Sequence, residues 1–395
     1  MASVQQASGG DADGPLVVLA PDKFKGSLDA DEVAAALARG LRRGLPGIRL
    51  RTHPIADGGE GTVAMVLAHG FEPVERRVQG PLGGAVLATY ALRGDTAVVE
   101  MAAAAGLALL PGSPDAASAR AASTHGVGEL IADALDRGAR RVVLAVGGSA
   151  TTDGGAGMAA ALGARALTAD GRAPAPGGNG LLDVRRLDLA GLDPRLAGAT
   201  VLVACDVDNP LTGPSGAAAV YGPQKGADPA AVAELDRALA HWADVVAAAT
   251  GRDLRDLPGA GAAGGLGFGA AAVLGARVVS GVEYLLELSG FGASVEGADL
   301  VVVGEGSLDE QSLRGKGPIG VAAVAVRAGV PVVAVAGRSL VGAAALREAG
   351  IDAVWTLAEL EPDPVRCMAG AAELLERTAV RIAADRLGGT AIDNR

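Results

Sequence analysis

Residues 16–20 read Leu-Val-Val-Leu-Ala, and Pro-Asp-Lys-Phe-Lys-Gly-Ser follows them directly at residues 21–27. A short apolar run without alternation is typical of a strand buried on both faces, as in a parallel sheet covered by helices. Asp29 and Glu32 then form a capping box that predicts the start of a helix. The apolar stripe of that helix consists of Val33, Leu37 and Leu41. Strand, loop and helix in this order predict an α/β fold.

Further apolar runs of the same kind recur along the chain, with segments of helical periodicity between them. They span residues 142–146, 201–204, 300–303 and 332–335. Between residues 72 and 101 the pattern changes to alternating strands, with turns at Gly83-Gly84 and Gly94-Asp95. We therefore predict an α/β protein with a doubly wound, mostly parallel Rossmann-like domain and an inserted mixed α/β domain.

The length of 395 residues and the 50% hydrophobic composition suit two domains. We place the doubly wound domain at residues 15–69 plus 291–395 and the inserted domain at 70–290. Residues 1–14 have a Ser, Gly and Asp composition that predicts a disordered leader. The uncharged run 257–276 is dominated by Gly and Ala, which predicts a glycine-rich loop and a buried helix rather than a membrane span.

Charge and cysteine usage exclude several classes of function. The formal net charge is -11 and the pI is about 4.9, which argues against nucleic acid as a partner because its phosphates are bound by clustered Lys and Arg. Cys205 and Cys367 lack a metal-ligand spacing, so neither a disulfide framework nor a zinc site is indicated. The N-terminal residues lack the basic and apolar regions of an export signal, so we expect a cytoplasmic protein without a membrane partner.

Lysine is rare in this chain, although it has 34 basic residues. Its lysines, Lys23, Lys25, Lys225 and Lys316, all lie in loops that contain Gly or Pro. An ammonium group is a compact point charge, whereas a guanidinium group is a planar fork, so a site that grips one phosphate or carboxylate oxygen can require lysine. We predict that Lys25 and Lys316 are catalytic.

Two of the loops combine a strand end with a helix start, where anions are favoured. The first carries Lys23, Lys25 and Ser27. The second, residues 147–157, brings glycine backbone and hydroxyl groups to a position suited to phosphate. Its predicted nucleotide-binding residues are Gly147, Gly148, Ser149, Thr151, Asp153 and Gly154. Asp153 is equally compatible with capping the following helix.

Two further loops supply carboxylates. Residues 304–312 follow a strand and lead to Lys316, and we predict that Asp309 in this loop is a Mg²⁺ ligand. Asp57 is flanked by Gly58 and Gly59, which lets the backbone approach a substrate hydroxyl, so we predict that it is the general base. Lysines for developing charge, one carboxylate for the metal and one for the proton are what phosphoryl transfer requires. A P-loop motif does not occur in the sequence.

Read together, these segments resemble the bacterial glycerate kinase family, which is unrelated to the P-loop kinases. The segments are residues 21–27, 56–62, 147–157, 205–211, 222–226 and 304–316, and they occur in the order found in that family. The resemblance implies transfer of a phosphoryl group from ATP to D-glycerate with Mg²⁺, and 2-phosphoglycerate is the favoured product. It also implies that Asp206 is a second metal ligand. Thr152 departs from the family pattern, in which Asn often precedes Asp-Gly-Gly.

To substrate binding we assign Lys23, Ser27, Glu60, Gln311 and Lys225. Two other functions stay open at this point: an NAD(P)-dependent hydroxy-acid oxidoreductase and a non-enzymatic binding protein for organic acids. The first would use Gly259, Gly261 and Gly264, which match Gly-x-Gly-x-x-Gly, but the preceding residues do not read as a strand. The second leaves the carboxylates of the loops without a role. The oligomeric state is open, with a homodimer as one option.

Overall fold

The computed structural model of the chain describes residues 14–56, 58–310, 312–314 and 317–388. Asp57, Gln311 and Lys316, to which the sequence assigns roles, lie outside these ranges. Of the leader predicted at residues 1–14, only Gly14 is described.

The strands of the described chain are β1 (Leu16–Pro21), β2 (Arg49–Thr52), β3 (Glu72–Gln79), β4 (Ala85–Arg93), β5 (Thr96–Glu100), β6 (Arg141–Ala145), β7 (Arg165–Thr168), β8 (Val184–Asp188), β9 (Thr200–Ala204), β10 (Arg277–Val279), β11 (Leu300–Leu308), β12 (Val332–Ser339) and β13 (Ala353–Thr356). The α-helices are α1 (Ala30–Gly44), α2 (Thr62–Ala68), α3 (Ala102–Ala105), α4 (Ala116–Ala121), α5 (His125–Asp136), α6 (Ala156–Ala161), α7 (Ala217–Tyr221), α8 (Pro229–Thr250), α9 (Ala262–Val273), α10 (Gly281–Ser289), α11 (Phe291–Val295), α12 (Gly317–Arg327), α13 (Ala343–Glu348), α14 (Pro364–Ala369) and α15 (Ala371–Leu387).

One compact unit combines the chain up to Ile55 with the chain from Gly290 onward. Its sheet has the strand order β13-β12-β11-β1-β2, and all neighbouring strands are parallel. Helices α1 and α15 pack on the sheet face that carries Val17 and Leu19, and α12 contacts β1, β11 and β12. The strand order reverses between β1 and β11. In open α/β sheets ligands bind at the carboxyl ends of the strands at such a reversal.

The other unit runs from Ala56 to Ser289. Its sheet has the order β10-β9-β6-β5-β4-β3, in which β10, β9, β6 and β5 are parallel and β4 and β3 add an antiparallel hairpin. Strands β7 and β8 form a separate antiparallel pair. The α/β architecture with mostly parallel sheets is thus confirmed, as are the hairpins predicted between residues 72 and 101.

The first boundary between the units lies at Ile55/Ala56 rather than at the predicted position 69/70. Helix α2 belongs with the second unit because its apolar side chains pack against β4, β5 and β6. The cluster contains Val63, Met65 and Val66 together with Ala91, Val98 and Val143. The second boundary, Ser289/Gly290, lies one residue before the predicted 290/291.

The uncharged run 257–276 contains helix α9, all of whose residues are buried. The first part of the run is glycine-rich loop, and Ala263, Gly264 and Gly265 have positive φ angles where the helix begins. This confirms the prediction of a loop that leads into a buried helix. Among the described residues, no helix is long and apolar enough to cross a membrane.

Candidate active site

In the first unit the loop after β1 lies beside the last part of β11, which continues to Leu308, so residues 304–308 are strand rather than the predicted loop. The backbone N–H of Asp22 donates to the Gly304 carbonyl at 2.8 Å. A Cβ on Gly306 would lie 3.4 Å from the backbone nitrogen of Lys25. The structure therefore brings the lysine loop, residues 21–27, to the end of β11 and the turn after it, residues 304–312, which we call the carboxylate loop, at the reversal of strand order.

In the lysine loop the Lys25 side chain is exposed and Lys23 is half-buried. Both are accessible to an anionic ligand. Ser27 is predicted to bind substrate, but in the structure its hydroxyl donates to the Met368 carbonyl at 2.7 Å. That contact ties the loop to helix α14 and leaves the hydroxyl oxygen as an acceptor.

In the carboxylate loop Glu305 and Asp309 share a contact with Ser312. The Ser312 hydroxyl donates to Glu305 Oε2 at 2.8 Å, and the Ser312 N–H donates to Asp309 Oδ1 at 3.1 Å. Both carboxylates are half-buried. Two acidic groups are thus oriented at the end of β11.

Asp22 is a carboxylate for which no role is predicted from the sequence. Its Oδ1 accepts from the Lys23 N–H at 2.7 Å, and its Oδ2 lies 3.7 Å from the position of a Cβ on Gly317, the first residue of α12. Its place between a strand end and Lys23 was the available signal, because the carboxyl ends of parallel strands at a strand-order reversal form the ligand edge.

In the second unit the loop at residues 58–61 meets the loop at residues 147–157. The N–H of Gly147 donates to the Gly58 carbonyl at 3.1 Å. A Cβ on Gly147 would lie 2.4 Å from the Cα of Gly59, and one on Gly148 would lie 2.8 Å from Glu60 Oε1. The sequence predicts that these glycines let phosphate approach the backbone. In the structure the space beside them is occupied by Gly59 and Glu60. Gly147 and Gly148 stay half-buried, and Glu60 is exposed.

The remaining predicted nucleotide residues of this loop, Ser149, Thr151, Asp153 and Gly154, are buried. They support the loop rather than line its surface. A Cβ on Gly154 would lie 2.5 Å from Cδ1 of Trp242, and the Trp242 indole N–H donates to the Gly154 carbonyl at 3.0 Å. The hydroxyl of Thr151 donates to the Ala263 carbonyl at 3.4 Å.

Asp153 acts as a structural cap, which is the second of its two predicted roles. Its carboxylate accepts hydrogen bonds from the backbone N–H groups of Thr124, Gly155 and Gly157 and from the Thr124 hydroxyl. Burial raises the pKa of the Asp153 carboxyl, and the hydrogen bonds from these groups oppose the shift. The side chain joins the loop to the starts of α5 and α6.

Lys225 does not lie where a substrate-binding residue would. Only 1% of this residue is exposed, and its Nζ donates to the Thr151 carbonyl at 2.6 Å. The substrate contact predicted from sequence is therefore replaced by a contact with the loop at residues 147–157. A lysine in a glycine-containing loop suggested contact with a ligand, but the sequence did not show that the Lys225 side chain is buried.

Asp206, predicted as a metal ligand, holds the start of helix α10. Its Oδ1 accepts from the Ser280 hydroxyl at 3.0 Å and from the Gly281 N–H at 2.9 Å, and its Oδ2 accepts from the Val282 N–H at 3.1 Å. Across the described residues, no group of three or more His, Cys, Asp or Glu side chains could hold a metal ion. Sites that share Mg²⁺ with substrate phosphates need only one or two carboxylates from the protein.

At the Gly-x-Gly-x-x-Gly match, residues 259–264, other parts of the backbone occupy the space beside Gly261 and Gly264. A Cβ on Gly261 would lie 2.3 Å from the Pro210 carbonyl oxygen, and one on Gly264 would lie 1.9 Å from the Thr151 carbonyl oxygen. The segment is preceded by helix α8 and irregular structure rather than by a strand. These glycines serve internal packing, which removes the basis of the dinucleotide alternative.

Comparison with known proteins gives a consistent set of relatives. A family model described as "Glycerate kinase family" matches residues 17–386. The chain is 46% identical over 370 residues to a "Glycerate kinase" of Halalkalibacterium halodurans, with 93% of this chain and 97% of the relative covered. It is 44% identical over 345 residues to a "Glycerate 2-kinase" of Escherichia coli, with 86% of this chain and 90% of the relative covered.

A solved structure agrees with these relatives. A crystal structure from Salmonella typhimurium LT2 that carries the provisional name glycerate kinase 2 superposes with a TM-score of 0.77 at 43% sequence identity. The match covers 94% of this chain and 98% of that chain.

Proposed function

The chain belongs to the glycerate kinase family and is therefore a phosphotransferase, and we propose that it transfers the γ-phosphoryl group of ATP to the 2-hydroxyl of D-glycerate. The observation that carries the proposal is the meeting of the lysine loop and the carboxylate loop at the strand-order reversal of the first unit. Phosphoryl transfer is catalysed mainly by positioning and by neutralising charge, which needs this mixture of cations and carboxylates.

For the anionic groups of the reactants we propose Lys25 and Lys23. Lys25 is exposed on a loop whose backbone is fixed against Gly306, so its ammonium group can approach a phosphate or carboxylate oxygen without burial cost. Lys316 and Gln311 stay assigned to catalysis and substrate binding on the sequence alone. Asp57 stays the proposed general base on the same ground.

For Mg²⁺ we propose Asp309 as the ligand, with Glu305 beside it. The donor set fits, because Mg²⁺ prefers carboxylate oxygens and both side chains are oriented by Ser312. When bound, the ion would neutralise the charge that develops on the phosphates. Asp206 stays assigned to a metal on the resemblance alone, and both of its oxygens already accept hydrogen bonds at the start of α10.

For the nucleotide phosphates we propose the edge formed by Gly147 and Gly148, while the exposed carboxylate of Glu60 stays assigned to the substrate. Backbone N–H groups after a parallel strand are suited to phosphate oxygens, and because the Gly147 N–H donates to the Gly58 carbonyl, the N–H that we propose for the phosphates is that of Gly148. Within this loop Gly147 and Gly148 are half-buried, whereas Ser149 to Gly155 are buried. The buried part then holds the edge in place. A cytoplasmic location and a homodimer stay predictions.

The position of phosphorylation rests on the name "Glycerate 2-kinase" of the E. coli relative. We expect ³¹P and ¹H NMR of a reaction with Mg-ATP and D-glycerate to show 2-phosphoglycerate, identified against authentic 2- and 3-phosphoglycerate. A product that matches 3-phosphoglycerate contradicts the position but keeps the kinase. If ATP is not consumed with D-glycerate, ATP is not the donor. Binding of glycerate without turnover would then favour the organic-acid binding protein.

A further inference from the structure

Lys225 ends a 3-10 turn, Pro223–Lys225, and it is among the largest fully buried side chains of the described chain. Burial lowers the pKa of its ammonium group to about 7, and the carboxylate of Asp153 opposes this shift. Burying an ammonium group is unfavourable unless partners compensate for the lost water. The partner that the structure provides is the Thr151 carbonyl, 2.6 Å from Nζ.

The turn that carries Lys225 is itself fixed. The Lys225 N–H donates to the Gly222 carbonyl at 2.9 Å, and the Gly226 N–H donates to the Pro223 carbonyl at 3.0 Å. Gly226 has a φ of +91°, and a Cβ there would lie 2.3 Å from the backbone nitrogen of Asp115. The turn is thus packed against the start of α4, which gives the lysine a defined base from which to reach Thr151.

The loop that receives Lys225 is tied to its surroundings on either side of Thr151. The Ala150 N–H donates to the Ala105 carbonyl at 2.9 Å, and the Gly154 N–H donates to the Gly264 carbonyl at 3.0 Å. At Thr151 the backbone carbonyl is held by an ammonium group instead of a backbone N–H. Because Lys225 Nζ donates to this carbonyl at 2.6 Å from a fixed turn, Lys225 is an anchor of the loop.

We propose that Lys225 is a positioning residue that acts through the Thr151 carbonyl to hold the loop at residues 147–157 in the shape that binds nucleotide phosphates. The inference rests on the proposed function, because it requires the Gly147–Gly148 edge to meet the nucleotide. In this proposal Lys225, of which 1% is exposed, acts through its contact with the loop and not by touching substrate. A small displacement of a binding loop can lower activity about 10²-fold without any change in the reacting groups.

The test compares Lys225→Met, which keeps the aliphatic stem without a donor, with Lys225→Gln, which keeps a neutral N–H donor. Calorimetric titration with Mg-ATP and steady-state kinetics are measured for both. We expect Lys225→Met to raise the Kd and KM of ATP by roughly 10- to 100-fold, with the KM of D-glycerate nearly unchanged. Lys225→Gln should lie between Lys225→Met and the unmodified protein.

Asp228→Ala is the matched control. Asp228 caps helix α8 directly after the turn, and its side chain accepts from the Ala231 N–H at 2.7 Å. Its loss should lower the Tm while the Kd of ATP stays unchanged. A rise in KM for D-glycerate alone, or an ATP defect in Asp228→Ala equal to that of Lys225→Met, overturns the positioning role.

The same measurements separate this inference from the proposed function. If the unmodified protein binds Mg-ATP and Lys225→Met binds it equally well, the inference alone is wrong. If the unmodified protein gives no heat with Mg-ATP and no turnover, the nucleotide assignment of the loop is wrong, and the inference is overturned with it. Should Lys225→Met fail to fold, Lys225→Gln decides by the same criteria.

Discussion

Lys25 and Lys225 are lysines in similar loops, but they differ in solvent exposure. Both stand in glycine-containing loops, yet Lys25 is exposed and Lys225 is 1% exposed. An exposed ammonium group can meet a ligand, whereas a buried one can act only through its protein contacts. The roles of the two lysines therefore differ, and substitutions at the two positions should affect different quantities.

For Lys25 we expect a catalytic effect without a folding effect. Lys25→Arg keeps the charge at an exposed position, so the Tm should not change. A planar fork cannot occupy the place of a point donor, so turnover with Mg-ATP and D-glycerate should fall about 10²- to 10³-fold. Steady-state kinetics check this, with the exposed Arg43→Lys at the end of α1 as the control. Turnover within about twofold of the unmodified protein in Lys25→Arg contradicts the role.

For Asp309 we expect an effect on the metal requirement. Asp309→Asn keeps an oxygen that can accept from the Ser312 N–H but removes the charge that favours Mg²⁺. Loss of a hydrogen-bond partner of a metal ligand already costs about 10- to 100-fold in metal affinity, so loss of the ligand's charge should raise the Mg²⁺ concentration for half-maximal activity at least roughly 10-fold. The adjacent Glu310→Gln removes the same charge from an exposed position and serves as the control. An equal rise in both variants would assign the effect to general electrostatics rather than to coordination.

At the scale of single elements, contacts close in sequence were predictable and contacts far apart were not. The capping box of Asp29 and Glu32 is local, and the structure confirms it. Strands β1, β6, β9, β11 and β12 were predictable because their apolar runs report burial on both faces, whereas the partly exposed strands β2, β7, β8, β10 and β13 carry no such run. Asp153 and Asp206 each hold helix starts that depend on distant residues, Thr124 in one case and Ser280 in the other. Their chemistry was visible in the sequence, but their partners were set by tertiary packing.

The glycines of the candidate site follow the same rule. Positions that must lack a Cβ were recognisable from the motifs, but the atoms that occupy the space were not. At Gly147 the neighbour is Gly59, and at Gly154 it is Trp242. A ligand and a close backbone contact leave the same signature in a sequence, so the motifs could select the loops but could not separate residues that meet a ligand from residues that pack against the chain.

Helix α5 contacts the hairpin of β3 and β4 through a cluster of polar side chains centred on the Asp133 carboxylate. Asp133 accepts from the Tyr90 hydroxyl at 2.8 Å and from Arg137 Nε at 2.9 Å, and Arg76 Nε lies 3.5 Å away. Burial raises the pKa of the Asp133 carboxyl, but the hydrogen bonds from Arg137 and Tyr90 outweigh it, so the net shift is downward. The cluster should stabilise the folded protein only while Asp133 is ionised.

We therefore expect Asp133→Asn to lower the free energy of unfolding by about 1.5–3 kcal/mol at neutral pH, the usual contribution of hydrogen bonds to a charged group. Because the folded pKa lies below the unfolded one, this loss should persist above about pH 4 and diminish as the pH falls further. Thermal unfolding at pH 7 and between pH 4 and 3 checks this. Tyr90→Phe should show a smaller loss with the same pH trend. A loss that is constant with pH contradicts the role of the charge.

At the scale of the whole molecule, each unit has its own sheet and its own hydrophobic core. The continuous unit, Ala56 to Ser289, contains every strand pairing of its sheet. The other unit is built from two chain segments, since β1 pairs with both β2 and β11. The continuous unit is therefore the one that can be tested in isolation.

We expect residues 56–289, produced alone, to fold into a cooperative unit. Its first and last helices, α2 and α10, contact each other and share one apolar cluster with Phe71 and Leu285, so the cut ends leave that cluster complete. Circular dichroism should show a single sharp thermal transition, and ¹H NMR should show dispersed methyl signals. An unfolded or aggregating fragment would mean that the unit depends on the rest of the chain.

The fragment 70–289, which follows the boundary predicted from sequence, is the matched control. It lacks α2 and therefore exposes the sheet face that carries Ala91, Val98 and Val143. Because burying each apolar side chain contributes on the order of 1.5–3 kcal/mol, losing the three large apolar side chains of α2 should remove most of the marginal stability of a single domain. We expect this fragment to melt without cooperativity or at a much lower Tm than 56–289. Equal Tm values for the two fragments would show that α2 adds nothing to the unit and would return the boundary to position 69/70.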